Sequence, residues 1–117
     1  NDLPKVFPNT PMNKVLYEIS NKRLGLTTVV DENDTLLGIF TDGDLRRLID
    51  KQQGFDVNLP VSEVMIRNPA TISKEARAVA ALEKMNDKKI NQFIVVDDAN
   101  KVIGVISMHD LIQAGVN

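Results

Sequence analysis

The sequence has no cysteine, one histidine and almost no excess charge. Disulfides and thiolate chemistry are excluded because both require cysteine. Its 14 Lys and Arg residues against 16 Asp and Glu residues give a net charge of -2, which indicates neither nucleic acid nor an anionic membrane as a partner. No apolar run approaches the ~20 residues of a membrane-spanning helix, and no signal-peptide pattern opens the chain. We therefore expect a cytoplasmic protein.

Motifs of catalysis are also missing. The chain has no Gly-x-Gly-x-x-Gly motif, no phosphate-loop lysine motif and no second histidine beside His109. A lone histidine without a nucleophile or a ligand set is weak support for a catalytic or metal site. We expect no catalytic residue, no metal and no required cofactor. The His109 side chain is expected to stack on a base or to donate to a phosphate, or else to be an exposed residue in the first turn of a helix.

The chain repeats itself at a constant offset of 66 residues, as in Asp44 and Asp110. Residues 28–45 return as residues 94–111, and the identical pairs include Asp31 with Asp97 and Gly38 with Gly104. A period of this length indicates two copies of one supersecondary unit, neither of which is expected to close a core alone. Function is therefore expected between the copies.

The residue pattern of each copy predicts a strand, a helix, two strands and a closing helix. This order of elements defines an α/β fold. We place the first copy at residues 1–53, a linker at 54–61 and the second copy at 62–117. Thr10 is predicted to cap the first helix, with Pro11 at its first position. The two long strands are predicted at 26–30 and 36–41 and again at 92–96 and 102–107. The turn between the first two is acidic (Asp31, Glu32, Asp34); it favours a plain turn over a metal loop.

The candidate site lies where the last strand of each copy enters the closing helix. There the hydroxyls of Thr41 and Ser107 precede the aspartates Asp44 and Asp110 by three residues. A helix start attracts phosphate, and a carboxylate accepts hydrogen bonds from a ribose diol. The same spacing is also that of a capping box, which needs no ligand. A sequence duplication copies a capping box as faithfully as a ligand site. The repeat therefore leaves both interpretations open.

The charges near the two corners differ. Asp42 adds a second carboxylate beside Asp44, which repels an anionic ligand, whereas the second copy has Met108 at that place. Arg46 and Arg47 could offset this repulsion through their planar donors, or could simply lie on a solvated helix face. We expect the second corner to bind an anionic nucleotide better than the first.

The duplicated Gly-apolar-apolar-Thr/Ser-x-x-Asp motif after Val-Val-Asp resembles a tandem cystathionine-β-synthase (CBS) domain pair, or Bateman module, along the whole chain. The resemblance implies two pseudo-symmetric β-α-β-β-α repeats packed through their sheets, usually as a homodimer. It also implies nucleotide binding in two clefts that regulates an attached domain. Asp44 and Asp110 would then bind ribose, and Thr41 and Ser107 phosphate. The cleft edges would come from Val6, Leu26 and Thr27 and from Ile72, Gln92 and Phe93, although Phe93 is more typical of a core aromatic.

The run Thr41-Asp42-Gly43-Asp44-Leu45-Arg46-Arg47 is similar to the C-terminal module of arabinose-5-phosphate isomerases. In that family an N-terminal sugar-isomerase (SIS) domain makes a precursor of the lipopolysaccharide sugar Kdo. The resemblance implies a regulatory, nucleotide-sensing piece that does not itself isomerise anything, and the start at Asn1 suggests part of a longer protein. Its ligand would be of the AMP or ATP type, or CMP or CMP-Kdo. The alternative is a ligand-free dimerisation module that pairs through Leu45, Leu48, Ile49, Leu111 and Ile112.

Overall fold

The architecture is mixed α/β, with two separate sheets and three described helices, as predicted. The structure is a computed structural model, and it describes residues 3–22, 25–52, 56–75, 78–88 and 92–107. The chain divides into two compact units, Asn1–Pro69 and Ala70–Asn117. Within the described ranges, no helix is long and apolar enough to cross a membrane.

The first unit forms a four-stranded sheet in the order β1-β2-β3-β4. Its elements are β1 (Lys5–Val6), α1 (Met12–Lys22), β2 (Leu26–Val30), β3 (Leu36–Thr41), α2 (Asp42–Gln52), a 3-10 turn (Val61–Glu63) and β4 (Ile66–Arg67). Strand β1 runs parallel to β2, whereas β3 is antiparallel to both of its neighbours. The predicted bounds of β2 and β3 are confirmed; β4 was not predicted, since two residues show no alternation.

The start of α1 differs from the prediction. The helix begins at Met12, and the Thr10 hydroxyl accepts a hydrogen bond from the Phe7 amide over 3.0 Å instead of capping the helix. The first helical amides donate outside the helix, Met12 to the Leu59 carbonyl and Asn13 to that of Val57. The backbone carbonyls of Leu59 and Val57 therefore accept hydrogen bonds from the first amides of α1, which is the role predicted for the Thr10 hydroxyl. The helix buries Met12, Val15 and Ile19 in the core and packs Leu16 against it, at the spacing of one helix face.

The second unit repeats the arrangement with a three-stranded sheet in the order β5-β6-β7. Its described elements are β5 (Thr71–Ser73), α3 (Ala78–Lys88), β6 (Gln92–Val96) and β7 (Val102–Ser107). Strands β5 and β6 are parallel, and β6 and β7 are antiparallel. The predicted bounds of β6 and β7 are confirmed. The closing helix predicted from Met108 to about Ala114 lies outside the described residues.

The polar turns after β2 and β6 have the same hydrogen bonds. Asp31 Oδ1 accepts from the amides of Asn33 and Thr35 at 2.8 and 3.0 Å. Asp97 Oδ1 accepts from those of Ala99 and Lys101 at 2.9 and 3.0 Å. Asp side chains commonly organise turns in this way. The prediction of a plain turn is confirmed, and no group of metal-ligating side chains occurs among the residues with described positions.

The end of the predicted linker and the residues after it pack on the core of the first unit. Val61 and Met65 belong to its buried core with Met12, Val15 and Phe40. The compact units therefore divide after Pro69, eight residues beyond the end of the linker predicted at 54–61. The repeat boundaries themselves remain a prediction about the two sequence copies.

Candidate functional site at the first strand-to-helix corner

The corner between β3 and α2 contains a reciprocal pair of hydrogen bonds. The Asp44 amide donates to Thr41 Oγ1, and the Thr41 amide donates to Asp44 Oδ2, each over 3.0 Å. This is the hydrogen-bond pattern of a capping box, and it satisfies two amides at the helix start. The capping interpretation is confirmed for this corner. A role for Thr41 and Asp44 in ligand binding remains a prediction.

Asp44 is also paired with an arginine. Arg47 Nη2 donates to Asp44 Oδ1 over 2.6 Å, across one turn of α2. The Asp44 side chain is only 9% exposed, whereas that of Arg47 is 73% exposed. A carboxylate has about four lone-pair positions, and the amide of Thr41 and the guanidinium of Arg47 occupy two. Asp44 therefore keeps the capacity to accept two further hydrogen bonds.

An open cavity of about 250 Å³ adjoins this carboxylate. Its polar lining consists of Asp44, Arg47 and Lys51, which lie on one face of α2 at intervals of three and four residues. Its apolar lining is Phe40, Leu48 and Val64. The lining thus combines an apolar wall with three charged side chains at an open surface. The cavity lies entirely within the first unit.

The structure places the other predicted residues of the first unit beside this corner in the sheet. Leu26 pairs with Thr41 and Thr27 with Phe40 across the β2–β3 ladder. Val6 lies on β1, one strand further out, and belongs to the buried core. Leu26 and Thr27 are also buried, and the Thr27 hydroxyl donates to the Thr28 carbonyl. None of these three residues lines the described cavity.

The second unit places its equivalents in the same register. Gln92 pairs with Ser107 across the β6–β7 ladder, as Leu26 does with Thr41. Ile72 lies on β5 in the buried core. Phe93 is buried in the same cluster, and Lys84 Nζ lies 5.5 Å from its ring centroid. Phe93 is therefore a core aromatic with a cation–π contact, which agrees with the interpretation that the sequence favoured.

The remaining predicted residues of the second corner lie at the end of β7 and beyond it. His109 and Asp110 lie outside the described residues, and Ser107 ends β7 without a described side chain. Arg46 is described and exposed, and it does not line the cavity, whereas its neighbour Arg47 does. The structure thus separates the two arginines that the sequence treated alike.

The sequence analysis assigned four of the residues that line the cavity to no ligand site, namely Phe40, Leu48, Lys51 and Val64. Lys51 lies seven residues after Asp44, and this spacing on a helix could have placed it on the same face. Val64 belongs to the segment after the linker, and nothing in its local sequence indicates that it packs near α2. Neither Lys51 nor Val64 belongs to the repeated motif, so the comparison of the two copies did not reveal these two residues.

One carboxylate outside this site has an altered acidity. Hydrogen bonds from the backbone amides of Lys101 and Ala99 lower the pKa of Asp97 below its ordinary value of 3.8, with Lys101 making the largest contribution. Donors that stabilise the charged form act in this direction. The cause is the turn geometry, so this shift points to a structural role and not to a catalytic one.

The family is defined by the repeated fold and its corners. The CBS domain model matches residues 1–51 and 61–117, which is most of the chain in two copies. The chain therefore belongs to the CBS domain family and is a CBS pair.

The curated proteins that this chain resembles include arabinose 5-phosphate isomerases. Arabinose 5-phosphate isomerase KdsD of Francisella tularensis is 48% identical over 113 residues, which cover 97% of this chain and 34% of the relative. The protein of the same name from Pseudomonas aeruginosa is 44% identical over 115 residues, covering 97% of this chain and 35% of the relative. The chain thus spans about a third of the length of these isomerases.

Solved structures show the same fold. Protein MJ1225 of Methanocaldococcus jannaschii superposes with a TM-score of 0.85 at 27% identity, covering 96% of this chain and 45% of that one. CBSX2, a CBS-pair protein of Arabidopsis thaliana, superposes in its complex with AMP with a TM-score of 0.80 at 25% identity, covering 97% of this chain and 87% of that one. The neighbours include a CBS pair that binds AMP.

Proposed function

We propose that this chain is the nucleotide-sensing regulatory CBS pair of a D-arabinose 5-phosphate isomerase. The catalytic SIS domain would precede it in the parent protein, and this piece alone would have no isomerase activity. The parent would be a cytoplasmic enzyme of carbohydrate metabolism that supplies Kdo for lipopolysaccharide biosynthesis. The isomerase assignment is supported by the 48% identity to a KdsD protein over nearly the whole chain.

The observation that best supports ligand sensing is the Asp44 carboxylate beside the cavity. It is almost fully buried and held in place by the Thr41 amide and Arg47, and it still has free lone pairs. A fixed carboxylate can accept hydrogen bonds from two adjacent hydroxyls of a ribose without reorganising. By sequence equivalence, Ser107 and Asp110 would form the second corner. Sensing further requires that the ligand bind two states of the parent enzyme with different affinities.

The proposed class of ligand rests on the solved structure of a related CBS pair. AMP is bound by the CBS pair CBSX2, which supports an adenine nucleotide such as AMP or ATP. CMP and CMP-Kdo are the other candidates, because feedback from an activated end product would suit such an enzyme. These ligands share a ribose and at least one phosphate, which are the groups that the corner is proposed to bind.

A second candidate function is assembly without a ligand. The corner is satisfied by its own capping hydrogen bonds, and Ile49 on α2 is 42% exposed. Leu45 and Leu48 pack partly buried against the first core, so Ile49 is the residue of this predicted pairing surface that α2 presents to solvent. A symmetric homodimer is the commonest oligomer of soluble proteins. Loss of the dimer in Leu111→Asp, with no ligand response in the parent chain, would favour assembly alone.

Calorimetric titration distinguishes the two functions. The 117-residue chain would be titrated with AMP, ATP, CMP and CMP-Kdo, beside a double variant with Asp44→Asn and Asp110→Asn. We expect saturable binding of at least one ligand that the double variant abolishes. Asp50→Asn is the matched control, since Asp50 is an exposed carboxylate on α2 outside the cavity. Absence of binding to all four ligands, or equal binding to the double variant, would contradict the proposal.

A further inference from the structure

The two units have matching elements at the 66-residue offset of the sequence repeat, except for strand β4. Helix α1 begins at Met12 and α3 at Ala78, and the two long strands of each unit follow at the same offset. Strand β4 (Ile66–Arg67) precedes β5 in the chain and yet pairs with β3 of the first unit. The position that corresponds to Ile66 at this offset lies directly before Asn1. The counterpart of β4 therefore falls where a longer parent chain would lead into this one.

Gly104 on β7 has space beside it that its counterpart Gly38 lacks. A Cβ atom on Gly38 would meet the Ile66 carbonyl oxygen of β4 at 2.6 Å. On Gly104 the nearest described atoms are those of the Val95 side chain, at 3.8 and 3.9 Å. Val95 is the partner of Gly104 on β6, so these contacts come from the paired side of β7. A glycine in a strand allows a second backbone to approach closely, and among the described residues none approaches Gly104 from the other side.

Strand β7 is also more exposed than β3 at equivalent positions. Ile103 is 42% exposed, whereas its counterpart on β3 is half-buried. Ile106 is partly buried, whereas its counterpart Phe40 is 1% exposed. The first core also contains Val61 and Met65, which belong to the segment that leads into β4. In the part of the second unit that the structure describes, no segment provides this cover.

We propose that the stretch of the parent chain that leads into Asn1 binds to the second unit as a fourth strand on β7. Because β4 pairs antiparallel with β3 at Gly38, the new strand pairs antiparallel with β7 at Gly104. An unpaired edge strand offers a row of backbone donors and acceptors to such a segment. The residues before this strand cover the second core, as Val61 and Met65 cover the first. The inference rests on the proposed function in one respect, namely that the parent chain continues before Asn1.

The new strand would connect the catalytic domain to the second corner. In the first unit Val64, from the segment that leads into β4, lines the cavity beside Asp44. The counterpart of Val64 in the preceding stretch would lie beside the second corner, which begins where β7 ends at Ser107. A ligand at that corner and the connection to the catalytic domain would then contact the same strand. This shared strand gives ligand binding a direct physical route to the catalytic domain.

Hydrogen exchange of β7 tests the proposal, with β3 as the internal control. It would be measured by mass spectrometry on the 117-residue chain and on the full-length parent protein. We expect the β7 amides that do not donate to β6 to exchange at least about tenfold more slowly in the parent protein. Exchange of β3 should be equal in the two proteins, because β4 pairs with β3 in both. Equal exchange of β7 in the two proteins would overturn the proposal.

Two variants of the parent protein identify what covers β7. In the first, the residues before Asn1 that correspond to residues 57–66 are replaced by a Gly-Ser linker of the same length. In the second, Gly104→Ala places a methyl group where the new strand should approach. Each should return β7 exchange to the rate in the 117-residue chain while β3 exchange stays unchanged, which excludes general unfolding. Gly38→Ala is the matched control, and it should speed exchange of β3 in both proteins.

Other occupants of the β7 edge give different results. Protection of β7 that persists in the Gly-Ser variant would mean that another part of the parent protein covers this edge, and the proposal would be wrong. Protection in the 117-residue chain that rises with protein concentration would identify a second copy as the occupant, which also overturns it.

These measurements need no nucleotide, so their result is independent of the proposed function. Slow β7 exchange in a parent protein that binds no nucleotide or has no isomerase activity would support the fourth strand and contradict the proposed function. Nucleotide binding without any protection of β7 would support the proposed function and contradict the fourth strand.

Discussion

Gly38 and Gly104 occupy the same place in the two repeats but have different surroundings. A Cβ atom on Gly38 would lie 2.6 Å from the Ile66 carbonyl oxygen and 2.9 Å from Met65 Sδ. On Gly104 it would meet Val95 Cβ at 3.8 Å as its nearest neighbour among the described residues, which is ordinary contact. The reason is β4, which pairs with β3 at Gly38. Among the described residues, the same motif glycine is thus closely packed in the first copy and has ordinary contacts in the second.

This difference shows that duplication preserved the local fold more closely than its environment. The turns at Asp31 and Asp97 match hydrogen bond for hydrogen bond, and the strand registers around them are equivalent. The segment from Val61 to Arg67 has no described equivalent beside β7, and it contributes core, sheet and cavity residues to the first unit. Equivalent positions should therefore be compared by variants and not assumed to be equal.

The largest effect is expected when the two glycines are each changed to alanine. Gly38→Ala forces a shift of β4 and should lower the free energy of unfolding by about 2–3 kcal/mol, as overpacking does. Gly104→Ala should change it by less than about 0.5 kcal/mol, since the residues described around Gly104 leave room for the methyl group. Urea denaturation measures both. Equal losses in the two variants would mean that β4 does not press on Gly38.

A smaller effect is expected at the first corner. Asp44→Ala removes the acceptor of the Thr41 amide and the partner of Arg47, and should cost about 1–2 kcal/mol. Asp50→Ala on the same helix should be neutral or slightly stabilising, because a carboxylate near a helix C-terminus is unfavourable. Thermal unfolding of both variants checks this. A neutral Asp44→Ala would show that the box and the ion pair add nothing to stability.

The smallest effect concerns the duplicated turn and its pH dependence. Because the pKa of Asp97 is lower in the folded chain than its ordinary value of 3.8, its charge stabilises the fold at neutral pH. That contribution is lost as the pH falls through 3.8 toward the lower folded pKa. Asp97→Asn should therefore be less stable than the parent chain at pH 7, with the difference shrinking from pH 5 to pH 3. The exposed Asp98→Asn is the control, and a difference that does not vary with pH would contradict this account.

Much of the fold could be predicted because it depends on local signals. The long strands β2, β3, β6 and β7 are apolar runs bounded by Asp-rich turns, and their bounds matched. The prediction that Thr10 caps α1 was wrong, because the carbonyls of Val57 and Leu59 accept hydrogen bonds from the first amides of this helix. Strand β4 is two residues long and pairs only through tertiary packing. Such long-range contacts leave no periodic pattern in the sequence.

The candidate site shows the same division. The spacing of Thr41 and Asp44 predicted that the two residues interact. In the structure the amide of each donates to the side-chain oxygen of the other over 3.0 Å. The difference between Arg46 and Arg47 follows from which face of α2 each occupies, and Val64 reaches the cavity from another segment. Sequence motifs identified the acceptor at the corner, while packing determined which cations and apolar groups accompany it.

The most direct test of the account is calorimetry with AMP on two single variants, Asp44→Asn and Asp110→Asn. The account predicts binding to the parent chain that each variant weakens, with the greater loss in Asp110→Asn because the second copy has no counterpart of Asp42. Binding that neither variant alters, or no binding to the parent chain, would contradict the claim that the duplicated corners bind a nucleotide.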